Sequence, residues 1–134
     1  MTEGITPEAA MRGAEFRASL RRFLRRSERV ARACGLTPQR YLLLLMIKGA
    51  PGGSEQSTVT ELAERLQLAQ STVTELVSRA EEVGLVEREQ SPADGRVAHL
   101  RLTDEGERRL GRAFASLAAE RDQLRATFAY LDES

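Results

Sequence analysis

The sequence predicts a mainly α chain (α+β, with one β-hairpin), and three observations carry that expectation. Residues 7–34 hold an apolar stripe of Phe16, Leu20, Phe23, Leu24, Val30, Ala31 and Cys34, spaced at about 100° per residue as in a long amphipathic helix. Two short helical runs, 59–66 and 70–83, are separated only by Gln67-Leu68-Ala69. Residues 85–90 and 97–102 then read as short strands joined across Ser91-Pro92-Ala93-Asp94-Gly95-Arg96, with Asp-Gly as the turn signal. Two short helices followed by a hairpin is the order of a winged helix-turn-helix, set here between long N- and C-terminal helices.

Residues 1–6 read as a loose tail and Pro7 as a first helical residue. On the side of the 7–34 helix away from its stripe lie Arg17, Arg21, Arg22, Arg25, Arg26, Arg29 and Arg32. That face is either a solvated surface or a means of attracting DNA or an acidic partner at long range. Gly35 ends the helix, and Thr37 and Pro38 start the next as N-cap and first helical residue. Residues 42–47 are apolar nearly all round, so this helix is expected at the buried centre. A loop at 50–54 precedes a short strand at Ser57.

Thr58-Val59-Thr60-Glu61 forms a capping box in front of the first short helix. In the second, Val73, Leu76, Val77 and Ala80 give an inward face, and Gly84 sits where a left-handed stop is wanted. Thr103 caps one final helix over 104–131, with Asp104, Glu105 and Glu107 at its positive end. Leu110, Phe114, Leu117, Leu124, Phe128 and Leu131 follow at four- and three-residue steps once Arg121 is counted in the seam. That spacing suits association between helices, or packing onto the chain's own first helix. The sequence stops at Ser134, where no further helix is expected.

A length of 134 residues suits one domain over 1–134, with a lobe at 37–103 and dimerisation helices at 7–34 and 104–131. The two terminal stripes are wider than one small lobe would bury, which points to a homodimer. Twenty basic and twenty acidic residues cancel, but unevenly along the chain. Residues 1–50 carry ten basic and four acidic side chains, whereas residues 57–102 carry five and eight. A DNA-reading lobe with that balance has few cations with which to neutralise phosphates. The single cysteine excludes an internal disulfide framework, and no segment reads as a signal peptide. The apolar run 41–47 is far too short to span a bilayer, so a cytoplasmic protein without a membrane partner is expected. Cys34 and the exposed His99 expected on the second strand do not make a metal site. No nucleophile, base and orienting group assemble, so neither catalytic residues, a cofactor nor enzyme activity is expected.

The ordered set Thr58-Val59-Thr60-Glu61-Leu62-Ala63-Glu64-Arg65-Leu66, Ser71-Thr72-Val73, Leu76-Val77-Ser78-Arg79-Ala80-Glu81-Glu82-Val83-Gly84-Leu85-Val86, Asp94-Gly95-Arg96 and Leu100-Arg101-Leu102-Thr103 resembles the MarR family of bacterial transcriptional regulators. The likeness is colinear over about residues 36–110. It implies a dimeric DNA-binding regulator, expected as a repressor, whose terminal helices interleave between subunits. The second short helix would enter the major groove of a pseudo-palindromic operator with half-sites about one helical turn apart. Its outward face presents Gln70, Ser71, Thr74, Glu75 and Ser78, with Thr72 and Arg79 at the edges. Hydroxyls and amides can contact bases or phosphates, and a glutamate can accept from cytosine N4. The resemblance places Arg96 in the minor groove, with Asp94 holding it. Two departures stand out: Gln70 and Glu75 where relatives often have a basic residue, and Ala69 where they have a hydroxyl cap.

The resemblance also implies a small aromatic or phenolic acid as effector, in a crevice between dimer helices and lobe. By position its candidates are Phe16, Arg17, Leu20, Tyr41 and Met46, each of which can equally be core or surface. Some relatives sense peroxide through a cysteine near the start of the first helix, with tyrosine partners. Cys34 lies instead at the end, on the apolar stripe, where a buried thiol is common. The competing class is a winged-helix module that binds a ligand or a protein and no longer binds DNA.

Overall fold

The computed structural model of the chain describes residues 4–132. Helix α1 spans Pro7–Ala33, α2 Pro38–Lys48, α3 Val59–Leu66 and α4 Gln70–Glu82. Strands β1, Val86–Gln90, and β2, Ala98–Leu102, form the hairpin, followed by α5, Asp104–Ser116, and α6, Ala118–Leu131. This is the expected mainly α architecture with a small antiparallel wing. Of the expected N-terminal tail, residues 1–3 lie outside the described residues. Residues 4–6 are exposed, and the Thr6 side chain caps α1 by accepting from the Ala9 N–H. No described helix is long and apolar enough to cross a membrane.

Local chemistry sets most boundaries. The Thr37 hydroxyl accepts from the Arg40 N–H in front of Pro38, and Thr103 accepts from the Gly106 N–H. The Thr58–Glu61 box is closed in both directions, at 3.2 and 2.7 Å. Gly84 takes φ +76° after α4, a conformation that glycine adopts without the Cβ penalty. The core lies where α2 crosses the lobe: Leu43, Leu44, Ile47, Leu62, Val73, Val77, Leu85, Leu100 and Leu117 are fully buried. Each such aliphatic side chain contributes roughly 1.5–3 kcal/mol through burial. In the sheet, Val86 pairs with Leu102 and Gln90 with Ala98, and Ser57 adds a single bridge to Leu100.

Several expectations are corrected. Leu42 is 42% exposed, because α2 packs on the lobe and turns one side of its apolar surface outward. Each strand starts one residue later than expected. The final helix is not continuous over 104–131: Leu117, at φ −105° and ψ 11°, breaks it into α5 and α6. Leu117 is fully buried in the core, and beyond it the chain turns to lie along α1. There the rings of Phe128 and Phe16 meet edge to face at 4.9 Å, and Arg26 pairs with Glu120 at 3.3 Å. The 104–131 stripe is therefore split: Leu110 and Leu117 enter the core, whereas Phe114 and Phe128 remain exposed. Arginines also tie elements together. Arg65 donates to the Met46 and Gly49 carbonyls at the end of α2, and Arg109 to the Gly35 carbonyl after α1.

Candidate nucleic-acid interface

Burial of Val73, Val77 and Ala80 orients α4, and it leaves Gln70, Ser71, Thr72, Thr74, Glu75, Ser78 and Arg79 all exposed. The sequence-predicted reading face is thus assembled on one helix, with Thr72 as exposed as the rest. Ala69 offers no side-chain cap, so the first-turn N–H groups of α4 stay open beside the Ser71 and Thr72 hydroxyls. An uncapped N-terminus carries partial positive charge and donors suited to a phosphate. The neighbouring N-terminus of α3 is closed by its capping box.

Glu75 is not isolated. Arg79 Nη2 donates to its Oε1 at 2.9 Å, one helical turn away. The pair borders a groove of about 320 Å³ whose other wall is the start of α2, with Thr37, Gln39 and Arg40. Sequence reasoning missed this wall, because 30 or more residues separate it from α4 and only tertiary packing brings it near.

At the wing, Arg96 is extended into solvent, with its side chain 92% exposed. One oxygen of Asp94 accepts from both the Arg96 backbone N–H, at 3.0 Å, and its Nε, at 3.2 Å. The backbone hydrogen bond first, and the guanidinium second, hold the Asp94 carboxyl below its ordinary pKa. The turn differs from a two-residue Asp-Gly hairpin. It closes through Val97 N–H to the Asp94 carbonyl, with Ser91 N–H donating to the Val97 carbonyl outside it. Gly95 is not among the residues with positive φ, so the mirror-image turn that requires glycine is not formed.

The five basic residues of 57–102 are all engaged. Arg65 serves the carbonyls of α2, Arg79 binds Glu75, and Arg96 binds Asp94. Arg88 makes a two-pronged pair with Glu81, and Arg101 meets Glu87 across the sheet at 2.8 Å. Glu87 and Arg101 are direct register partners, so the strand pairing itself sets that contact. Phosphate contact by Arg79, Arg88, Arg96 or Arg101 therefore involves exchanging an internal carboxylate for a phosphate.

The five effector candidates do not share one pocket. Arg17 and Leu20 line a shallow depression of about 250 Å³ on α1, and Phe16 packs on Phe128. Tyr41 is buried in the lobe, where desolvation raises its hydroxyl pKa and the charge of Arg121 opposes the rise. Met46 packs against the same core. Tyr41 and Met46 are separated from the others because they lie on the inward side of α2. A larger cleft, about 1000 Å³, runs between α1 and α6 with Arg22, Arg25, Arg26 and Arg29 on its walls. Cys34 caps α1, half-buried against the core. His99 is half-buried, correcting the expected exposure, because it lies on the sheet beside Glu89 of β1. Among the described residues no three His, Cys, Asp or Glu side chains gather to hold a metal ion.

The MarR family model matches residues 35–97, which is the lobe carrying α2, α3, α4 and most of the wing. An uncharacterized HTH-type transcriptional regulator of Bacillus subtilis, YsmB, is 47% identical over 51 residues. That stretch is 38% of this chain and only 35% of the relative's length. Among solved structures, Sco3205 of Streptomyces coelicolor, a MarR family transcriptional regulator in complex with DNA, is 25% identical with a TM-score of 0.69. The likeness covers 92% of this chain and 77% of that one. The regulator PcaV of the same organism, in complex with its natural ligand, is 34% identical with a TM-score of 0.55, covering 67% of this chain and 61% of that one. With the family's motif order in its sequence, the family's model on its lobe and the fold of a family member along nearly its whole length, this chain is similar to the MarR family of transcriptional regulators.

Proposed function

We propose that the protein is a dimeric, sequence-specific DNA-binding transcriptional regulator that acts as a repressor on a pseudo-palindromic operator. The observation that carries this reading is the fully exposed polar face of α4, with its open N-terminus, presented on the same lobe as the extended Arg96 of the wing. Gln70, Ser71, Thr72, Thr74, Glu75, Ser78 and Arg79 would meet the major groove, and Arg96, steadied by Asp94, the minor groove. The DNA complex of Sco3205, whose likeness runs through these elements, supports it. The activity is non-enzymatic, and the MarR family is one of transcriptional regulators.

The dimer would form through the terminal helices. Met11, Leu24, Phe114, Phe128 and Tyr130 remain exposed on α1, α5 and α6, apolar side chains that a second copy would cover. Light scattering should give twice the 14.8 kDa chain mass. A small aromatic or phenolic acid would act as effector, supported by the natural-ligand complex of PcaV. Of the candidates, Arg17, Leu20 and Phe16 lie on the helix that a second copy would cover.

A titration of DNA binding against salt is the test. The association constant for duplex DNA from upstream of the protein's own coding sequence is expected to fall steeply as salt rises. A lack of preference for any such fragment over random duplex would favour the second reading, a protein-interaction module of the same fold. The prior engagement of the five arginines of residues 57–102 is what favours that alternative.

A further inference from the structure

We infer that Glu75 is a specificity-determining residue that accepts from the N4 amino group of a cytosine in the major groove, with Arg79 as its positioning partner. The inference rests on the DNA-binding reading above and deepens it. Glu75 lies in the middle of the exposed face of α4, between Thr72 and Arg79, where a base-reading helix meets base edges. A carboxylate there is repelled by phosphates and by the acceptors guanine O6 and N7 and thymine O4. It is attracted by amino donors alone. Adenine offers N6 between its own N7 and the thymine O4, whereas cytosine N4 has an acceptor on one side only, the guanine O6 of its pair. Cytosine is therefore the base a carboxylate accepts at least cost.

The geometry equips Glu75 for that contact. Arg79 engages Oε1 at 2.9 Å through a single prong. Among the described residues, Glu75 Oε2 takes no hydrogen bond, so it is left to accept from outside. The pair spans one helical turn, which restricts the carboxylate to the groove bordered by Arg40 and partly offsets its charge. The balance of charge in the lobe then gives Glu75 weight. With Arg88, Arg96 and Arg101 paired internally, general phosphate attraction is weakened and masks a local repulsion less, so rejecting wrong bases becomes a route to specificity.

The test measures binding of the wild-type protein, Glu75→Ala, Glu75→Gln and Arg79→Ala to a set of operators carrying each base at each half-site position, and to random duplex, at one salt concentration. Matched thermal melts establish that each variant is folded. The wild type is expected to prefer cytosine at one half-site position by about tenfold or more. Glu75→Ala is expected to lose that preference and to bind random DNA more tightly. Glu75→Gln is expected to shift the preference towards adenine, whose N6 and N7 suit an amide. Arg79→Ala is expected to narrow the cytosine preference without moving it to another base. A Glu75→Ala variant with the wild-type base profile at every position would overturn the inference, even if its affinity rose uniformly. A wild-type protein without preference for any duplex would instead overturn the DNA-binding reading itself.

Discussion

Arg121 of α6 reaches back over the helix break to Phe114 of α5, donating from Nη1 to its carbonyl at 2.6 Å with the guanidinium 3.6 Å above its ring. At the break the Phe114 carbonyl keeps only a long bond from the Leu117 N–H, at 3.2 Å, and this side chain adds a charged donor to it while covering the exposed aromatic face. A hydrogen bond from a charged donor contributes roughly 1.5–3 kcal/mol, and a partly exposed cation–π contact about 0.5–1 kcal/mol. Arg121→Ala is therefore expected to lower stability by about 2 kcal/mol in denaturant titration. Arg125→Ala is the control, since Arg125 makes a surface pair with Asp122. Such pairs contribute about 0–1 kcal/mol. Equal effects of the two substitutions would refute the role given to Arg121.

Two glycines of similar appearance in the sequence differ sharply in the fold. A Cβ on Gly106, in the first turn of α5, would sit 2.2 Å from the Leu85 carbonyl oxygen, which already accepts from the Thr103 N–H. Relief requires moving the start of α5 away from the lobe. Gly106→Ala is expected to cost at least about 1–3 kcal/mol, the range for forced overpacking. A Cβ on Gly95 meets nothing within 4 Å, and φ there is not positive. Gly95→Ala is therefore expected to change stability by less than about 0.5 kcal/mol. Comparable melting temperatures for the two variants would contradict this account.

What could be read from the sequence follows from how local each cause is. The starts of α1, α2, α3 and α5 were legible because Pro7, Thr37, Thr58 and Thr103 act within three residues of themselves, although the cap at Thr6 lay in what reads as a loose tail. The outward face of α4 was legible because periodicity decides which side meets the core. The break at Leu117 was not: leucine and alanine are good helix formers, and the cause is burial of Leu117 and the reach of Arg121. The wing turn was misread as Asp-Gly because Asp94 also binds the Arg96 backbone, moving the closed turn one residue on. The wall of Arg40 beside α4, and the separation of Tyr41 and Met46 from Arg17 and Leu20, are tertiary facts that spacing does not encode.

The Asp94–Arg96 contact carries a dependence on pH. Its backbone bond to Arg96 and the guanidinium lower the carboxyl pKa in the folded wing. The contribution is therefore present above the unfolded value and lost as pH falls through the lower folded one. Amide chemical shifts of residues 94–97 are expected to hold steady between about pH 5 and 8 and to move only in more acid solution. In Asp94→Asn the acid step at these residues is expected to vanish. Asp94 lies at the surface of the turn with its side chain 42% exposed, so the step is confined to the turn and global unfolding is not its readout. A wing titrating near neutrality would contradict the assignment.

Arg96 gives the sharpest separation between anchoring DNA and reading it. Its side chain is 92% exposed and touches no part of the core, so the fold does not depend on it. Asp94 fixes the direction of the guanidinium through a charge-assisted contact, which lessens the ordering required on binding. A narrow minor groove concentrates negative potential and attracts such a group without a base-specific hydrogen bond. Loss of the side chain should then act on phosphate and groove potential rather than on base choice. Arg96→Ala is expected to weaken operator and random DNA by the same factor and to reduce the slope of log affinity against log salt by roughly one per lost contact. The melting temperature and the dimer mass are expected to stay nearly unchanged. The contrast with Glu75→Ala is direct, since that change is expected to alter the ratio between operator and random DNA while Arg96→Ala preserves it. Unaltered DNA affinity in Arg96→Ala would mean that the wing does not reach the duplex, whatever α4 contacts.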